Sequence, residues 1–377
     1  MPLLLLSTLL HAYIGWRLLP AWAGQPAWQG LLAGVLAASA LLMPLSLAAR
    51  RWRSPRGAAV LTWAGLLFLG LFSSLFVLTL LRDAVWLVVA GVALLWSGAD
   101  AGVFGVWSGR AVPVAAGVVT LWGFLNARRT AAVVSVDVPI RGLPPALHGF
   151  TIAQISDLHI GPTIKHDYLD AVVRAVNRLG ADMVAVTGDL VDGRVHELAP
   201  HVAPLSALAS RHGTYFVTGN HEYYSGAAAW VVELRRLGVR VLQNEHVVLR
   251  HGSAALLVAG VNDYGAHHFD PAQRSDPQAA LAGAPPDTSV RVLLAHQPRS
   301  AEAAERAGYH LQLSGHTHGG QFWPWNLFVP LQQPFTAGLH RLGGLWVYTS
   351  RGTGYWGPPK RFGAPSEITR LRLIAAA

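Results

Sequence analysis

Hydrophobic positions fall into two regimes along the chain. Up to about Ala127 they form long, nearly unbroken runs, roughly Leu3–Leu19, Trp28–Ala49, Ala58–Leu81, Ala84–Ala99 and Ala111–Ala127. A hydrocarbon core of ~30 Å needs ~20 residues of helix, with ~17 as the lower limit. The second and third runs meet that length outright. The other three lie near the limit and the fifth carries Pro113, while Pro44 sits late in the second, where a kink or helix end is tolerated. Runs in such close succession predict an all-α transmembrane bundle of about five helices over residues 1–127, in preference to buried soluble helices. Ala21-Trp22-Ala23 has the small-x-small form of a signal cleavage site. No basic residue precedes the first run, however, and further apolar runs follow, so it reads as a retained helix.

After Ala127 the apolar stretches shorten. Val134–Val138 alternates as a strand does and leads into a proline-rich turn, which makes residues 128–149 a linker with a lead-in strand. Phe150–Ile155 is a buried-strand pattern, and Leu169, Val172, Val173, Val176 and Leu179 then recur at helical spacing until Gly180. Further strands are predicted at Asp182–Val186, Thr214–Val217, Val290–Leu294, His310–Leu313, Leu345–Thr349 and Ile368–Leu373. Val241–Leu249 with Ala254–Val261 reads as a hairpin, and helices are predicted around Glu197–Arg211 and Ala227–Leu237. Residues 150–377 are therefore a second domain of α/β (α+β) character, large enough for its own core.

Composition sharpens this division. Of 377 residues 52% are hydrophobic and only 13% charged, and before Arg128 the acidic residues are Asp83 and Asp100 alone. Cysteine is absent, which excludes disulfides and thiolate metal sites. A net charge of +9 suits anionic lipids or phosphorylated substrates, and no nucleic-acid partner is expected.

The candidate chemistry sits where predicted strands end. Ser156-Asp157-Leu158-His159 follows the first strand of the second domain, Gly188-Asp189-Leu190-Val191-Asp192 the next, and Gly219-Asn220-His221-Glu222 the third. His296 follows Val290–Leu294, and Gly315-His316-Thr317-His318-Gly319-Gly320-Gln321 follows His310–Leu313. Asp and Asn are common in turns, so one such cluster would mean little. Five clusters, each carrying metal-ligand types at a strand end, converge on one edge of an open sheet. Asp157, His159, Asp189, Asn220, His296, His316 and His318 offer more donors than one ion uses, and a carboxylate such as Asp189 can bridge two cations. Imidazoles beside carboxylates and an amide suit Mn, Fe or Zn better than Mg.

This series, in this order, resembles the calcineurin-like metallophosphoesterase family over roughly Phe150–Leu373. The resemblance implies a two-sheet β-sandwich flanked by helices and a dinuclear metal centre. It implies that Asp157, His159, Asp189 and His318 hold one divalent ion, and that Asp189, Asn220, His296 and His316 hold the other. His221 would then be the general acid or transition-state stabiliser, with Asp192 and Glu222 supporting the ligands. The long Gly-His-Thr-His-Gly-Gly-Gln form and the later Ser350-Arg351-Gly352 with Glu367 resemble the family's membrane-associated branch. Some members of that branch act on phosphodiester or pyrophosphate bonds, and UDP-2,3-diacylglucosamine is one substrate type of similar enzymes. The implied function is hydrolysis of phosphoester or pyrophosphate bonds in a lipid-linked substrate. The alternatives are a mono- or diesterase for soluble substrates, a non-catalytic membrane sensor or scaffold, and a transporter. No ligand of the series is missing, which opposes the scaffold, and His11, Arg17 and Asp100 are too scattered for a transport path.

Two expectations concern the membrane. Phe322–Leu331 is too short to span a bilayer and too rich in proline for a regular helix. Trp323, Trp325 and Phe328 are therefore expected to face headgroups, with Arg351, Trp356, Lys360 and Arg361 beside them to hold an anionic substrate. Arg50, Arg51, Arg53 and Arg56 form the strongest basic cluster between runs, which the positive-inside rule places in the cytoplasm. Five spans then put the catalytic domain on the extracytoplasmic side, and four would leave it in the cytoplasm.

Overall fold

A computed structural model describes residues 2–47, 49, 55–96 and 100–376. Two compact units emerge: Met1–Asn126 with Gly357–Lys360, and Ala127–Trp356 with Arg361–Ala377.

The first unit is built on α1 (Pro2–Leu18), α2 (Pro26–Leu47), α3 (Pro55–Ala93) and α4 (Ala101–Arg128). Among the described residues four helices are long and apolar enough to cross a membrane, not the expected five. The third and fourth runs belong to one 39-residue helix, α3. The break between them in the sequence is Arg82-Asp83, a charged pair with no glycine or proline. A charge interrupts hydropathy without interrupting a helix, provided that its charge is satisfied. Asp83 accepts hydrogen bonds from Tyr13 Oη at 2.7 Å, Arg17 Nε at 2.8 Å and Arg82 Nη1 at 2.8 Å. Ile14 and Leu18 of α1 pack with Leu32 and Leu36, Leu75, and Val112 and Ala116, one contribution from each of the other helices. Arg50, Arg51 and Arg53 lie outside the described residues.

The second unit contains two six-stranded sheets. The first has the order β1 (Ala132–Ile140), β12 (Glu367–Ala375), β2 (Thr151–Ile155), β3 (Met183–Val186), β4 (Thr214–Phe216) and β5 (Arg240–Val241). The second runs β10 (Gly338–Leu342), β11 (Leu345–Thr349), β9 (Leu311–Ser314), β8 (Val290–Leu294), β7 (Ala254–Gly260) and β6 (Glu245–His251). Strands β2 to β5 pair in parallel, as do β7, β8, β9 and β11. The connecting helices are α5 (His166–Asn177), α6 (Val195–Val202), α7 (Asn220–Ser225), α8 (Ala227–Arg236) and α9 (Ala301–Arg306).

Period-two alternation explains why the parallel strands read as unbroken apolar runs. In β3, Met183 and Ala185 enter the core between the sheets, while Val184 and Val186 enter the layer under α5, α6 and α8. In β7, Leu256 and Val258 face the other sheet, whereas Leu257 and Ala259 pack with Ala301 and Ala304 of α9. With both faces covered, no position along these strands has to be polar. The helix predicted over Glu197–Arg211 stops at Val202 and gives way to a tight turn at Ala203–Ala207. Pro204 has no N–H to donate into a continuing helix.

Candidate metal centre

The loops after β2, β3 and β4 of one sheet and after β8 and β9 of the other bring the predicted donors together. Asp157, His159, Asp189, His316 and His318 all adopt positive φ, between 51° and 70°. Left-handed backbone is uncommon for residues with a Cβ, and five instances in one site mark strain held by the surroundings to aim side chains inward. The loops also approach closely. A Cβ on Gly188, itself at φ +87°, would lie 2.7 Å from both Gly219 N and His296 Nδ1, so only glycine fits between β3 and β4 there.

His159, Asp157 and His318 form one group, with His159 Nε2 3.1 Å from His318 Nε2 and His318 Nε2 3.5 Å from Asp157 Oδ1. Asp189, His296 and His316 form a second, with His296 Nε2 3.1 Å from Asp189 Oδ2 and 3.2 Å from His316 Nδ1. Asp189 lies near both groups, its Oδ2 being 3.9 Å from His159 Nε2. Backbone donors orient the carboxylates: His316 N donates to Asp157, and His221 N donates to Asp189 Oδ1 at 2.9 Å. His296 Nδ1 lies 2.7 Å from Thr187 O, which accepts its proton and leaves Nε2 facing the site. Asn220 Oδ1 is buried with no hydrogen-bond partner, the state of an amide oxygen whose partner is a cation. This orphaned oxygen lies beside converging imidazole nitrogens and carboxylates that could hold divalent ions.

His221, Asp192 and Glu222 sit beside the donors. His221 Nδ1 is 2.6 Å from Asp192 Oδ1, which also lies 3.1 Å from His159 Nδ1. Burial works against a charge on His221, but the hydrogen bond to Asp192 and the nearby Asp189 outweigh it and raise the pKa to about 9. A third group of His159, Asp189 and His221 could also hold an ion by proximity. Asp192 at Nδ1 fixes the His221 ring with Nε2 turned toward Asp189, 4.0 Å from its Oδ2. Burial and the charge of His296 lower His316 to about 3. Burial, with the Arg361 guanidinium, holds His318 well below its usual value, so both imidazoles keep open lone pairs. Glu222 is fully buried, and its carboxylate accepts from Asp189 N, Leu190 N, Val191 N and Gly219 N, tying the β3 loop to the β4 loop.

The outer residues divide. Trp323, Trp325, Phe328 and Trp356 are exposed. Arg351 is partly exposed and pairs with Glu367 at 3.2 Å. Lys360 and Arg361 correct the expectation, since both are buried and neither presents its charge to a headgroup. Lys360 Nζ donates to Gly70 O and Ser74 Oγ in the helical unit. Arg361 donates to the carbonyls of His318, Arg351 and Gly354 and so clamps the double-histidine loop. Sequence reasoning passed over Arg299, Tyr224 and Phe269. Arg299 is exposed, with its guanidinium 6.0 Å from the Tyr264 ring centre. Its place three residues after His296 was a usable signal. Phe269 carried none, because only the fold brings the residue 269 loop to Tyr223 and Tyr224 of α7.

Residues 150–320 match the calcineurin-like phosphoesterase family. An uncharacterized metallophosphoesterase of Aquifex aeolicus is 33% identical over 219 residues, covering 58% of this chain and 82% of that protein. The chain belongs to this metallophosphoesterase family. A transmembrane protein with metallophosphoesterase domain from Bos taurus is 43% identical over 271 residues, and its counterpart from Danio rerio 37% over 267. Each of these matches covers 69% of this chain and 61% of the relative's length. Family membership accounts for the donor set at the strand ends, and the four apolar helices agree with relatives named as transmembrane proteins.

Proposed function

We propose that the chain is a metal-dependent hydrolase of phosphoester or pyrophosphate bonds, acting at the membrane on a lipid-linked substrate of the UDP-diacylglucosamine type. The observation that carries the reaction class is the buried, unpartnered Asn220 Oδ1 among converging imidazoles and carboxylates. Asp157, His159, Asp189 and His318 would hold one divalent ion, and Asp189, Asn220, His296 and His316 the other, with Mn, Fe or Zn suiting the donors better than Mg. Ions held there supply positive charge that lowers the pKa of a water and neutralises phosphoryl oxygens. His221 holds a proton on Nε2 for the leaving oxygen, while Asp192 fixes the ring through Nδ1. The lipid-linked substrate is favoured by the exposed Trp323, Trp325, Leu327, Phe328 and Leu331, which follow the double-histidine loop. If the four apolar helices all cross and the Arg50–Arg56 cluster lies inside, the catalytic domain would face the cytoplasm; five spans would put it on the extracytoplasmic side.

The test uses the full-length protein with Mn, Zn and Mg compared on aryl mono- and diester phosphates. Asp189→Asn is expected to lose bound metal together with turnover. His221→Ala is expected to keep its metal, measured by elemental analysis, while turnover falls ~10²–10⁴-fold, as for a lost general acid. Loss of metal from His221→Ala would make that side chain a ligand and overturn its role.

A further inference from the structure

Two exposed aromatic side chains pack on the His221 ring, and a third packs on one of them. Trp356 lies 5.7 Å from the His221 ring, centre to centre, at 70°, and Tyr224 lies 5.2 Å away at 76°. Phe269 extends the group, 5.6 Å from Tyr224. Edge-to-face contacts of this kind occupy at most one face of each ring. Tyr224 stays 65% exposed, Trp356 54% and Phe269 53%, so ring faces beside His221 remain open to solvent. Large exposed aromatics carry a hydration cost that a soluble surface normally avoids, and gathering them at one residue marks a contact surface. Trp356 is also held in place. Its N–H donates to Gln321 Oε1 and its carbonyl accepts from Gln321 Nε2, both at 2.8 Å, directly after the double-histidine motif. Tyr224 is held by α7, whose first residues are Asn220 and His221.

We infer that Trp356, Tyr224 and Phe269 form a subsite for a flat, aromatic or heteroaromatic ring, such as a nucleobase, carried by the leaving group whose oxygen faces His221. This rests on the phosphoesterase reading and names the substrate class on the leaving side. When the phosphorus–oxygen bond breaks, water supplies the new oxygen on phosphorus, and the ring-bearing alcohol (from a phosphoester) or nucleotide phosphate (from a pyrophosphate) departs, its oxygen facing His221. The rings therefore contact the half of the substrate that leaves. A ring face recognises any base through stacking, so the subsite selects for planarity without reading hydrogen-bond patterns.

Two measurements on the full-length, Mn-loaded protein separate this idea from the reaction itself. The first is calorimetric binding of non-hydrolysable phosphonate analogues of adenosine 5′-monophosphate and of ribose 5-phosphate, which differ only in the base. The adenosine analogue should bind about tenfold or more tightly, in line with base–aromatic stacking. That preference should collapse towards one in Trp356→Ala and in Tyr224→Ala, and persist in Trp356→Phe. Equal affinities in the unaltered protein, or an undiminished preference in Trp356→Ala, overturn the subsite. The second is turnover of the two natural phosphates. A ring preference in binding with no hydrolysis of any phosphoester would keep the subsite and remove the phosphoesterase reading.

Discussion

At the scale of single residues, the site is built from side chains whose backbone is costly and whose charges balance one another. His221 gives the clearest consequence. Its pKa is raised from 6.5 to about 9 because the Asp192 hydrogen bond and the Asp189 charge outweigh burial. In protein stripped of divalent ions, the native state therefore binds a proton there that the unfolded chain has released. The associated stability is fully present below about pH 6.5 and is lost as pH rises through about 9. Thermal unfolding of chelator-treated protein should show a midpoint that declines across that window, and Asp192→Asn should flatten the decline. An unchanged decline in Asp192→Asn would mean that other groups carry it. The residue types of the site were legible beforehand, because Asp, Asn and His of metal-ligand type recur after five predicted strands. Glu222 was named as support for the ligands, but its four backbone N–H donors come from two separate loops and could not be read from spacing.

At the scale of elements, the order of strand, polar cluster and helix was visible because strands covered on both faces leave a simple apolar signature. Short or half-exposed elements left none. α7 has six residues, too few to show a helical period, and β10 is an edge strand of mostly half-buried residues. Trp323, Trp325 and Phe328 are exposed in the loop after the double-histidine motif, so they are not the packed core that would make their loss purely structural. Replacing all three with serine should lower hydrolysis of a lipid-linked phosphoester in vesicles far more than hydrolysis of a small soluble one, by about a hundredfold in the ratio if each of the three rings contributes on the order of 1 kcal/mol. A ratio that stays constant would remove the lipid-facing role.

At the scale of the whole molecule, membrane topology depends on one helix. α3 has 39 residues, or about 58 Å at 1.5 Å per residue, nearly twice the hydrocarbon thickness. It absorbs two apolar runs that hydropathy alone counts separately. With four crossings, a reporter fused after Ala377 should behave as cytoplasmic, and a second reporter in the Pro20–Gly24 loop as extracytoplasmic. Extracytoplasmic activity at Ala377 would restore a fifth crossing or invert the bundle.

By itself the sequence determined the apolar N-terminal helices, the α/β character of the part that follows, and the ligand-type residues at its strand ends, because long apolar runs, period-two strands and strand-end polar clusters are local patterns. Only the tertiary structure joined the third and fourth apolar runs into one helix, since Arg82-Asp83 continues a helix when Tyr13 and Arg17 from α1 satisfy the carboxylate. It alone buried Lys360 and Arg361 and brought Trp356 to His221 and Phe269 to Tyr224, because those contacts join segments far apart in the chain. Local pattern reports what a residue is and which face it takes. Which residues from other segments meet it is settled by packing.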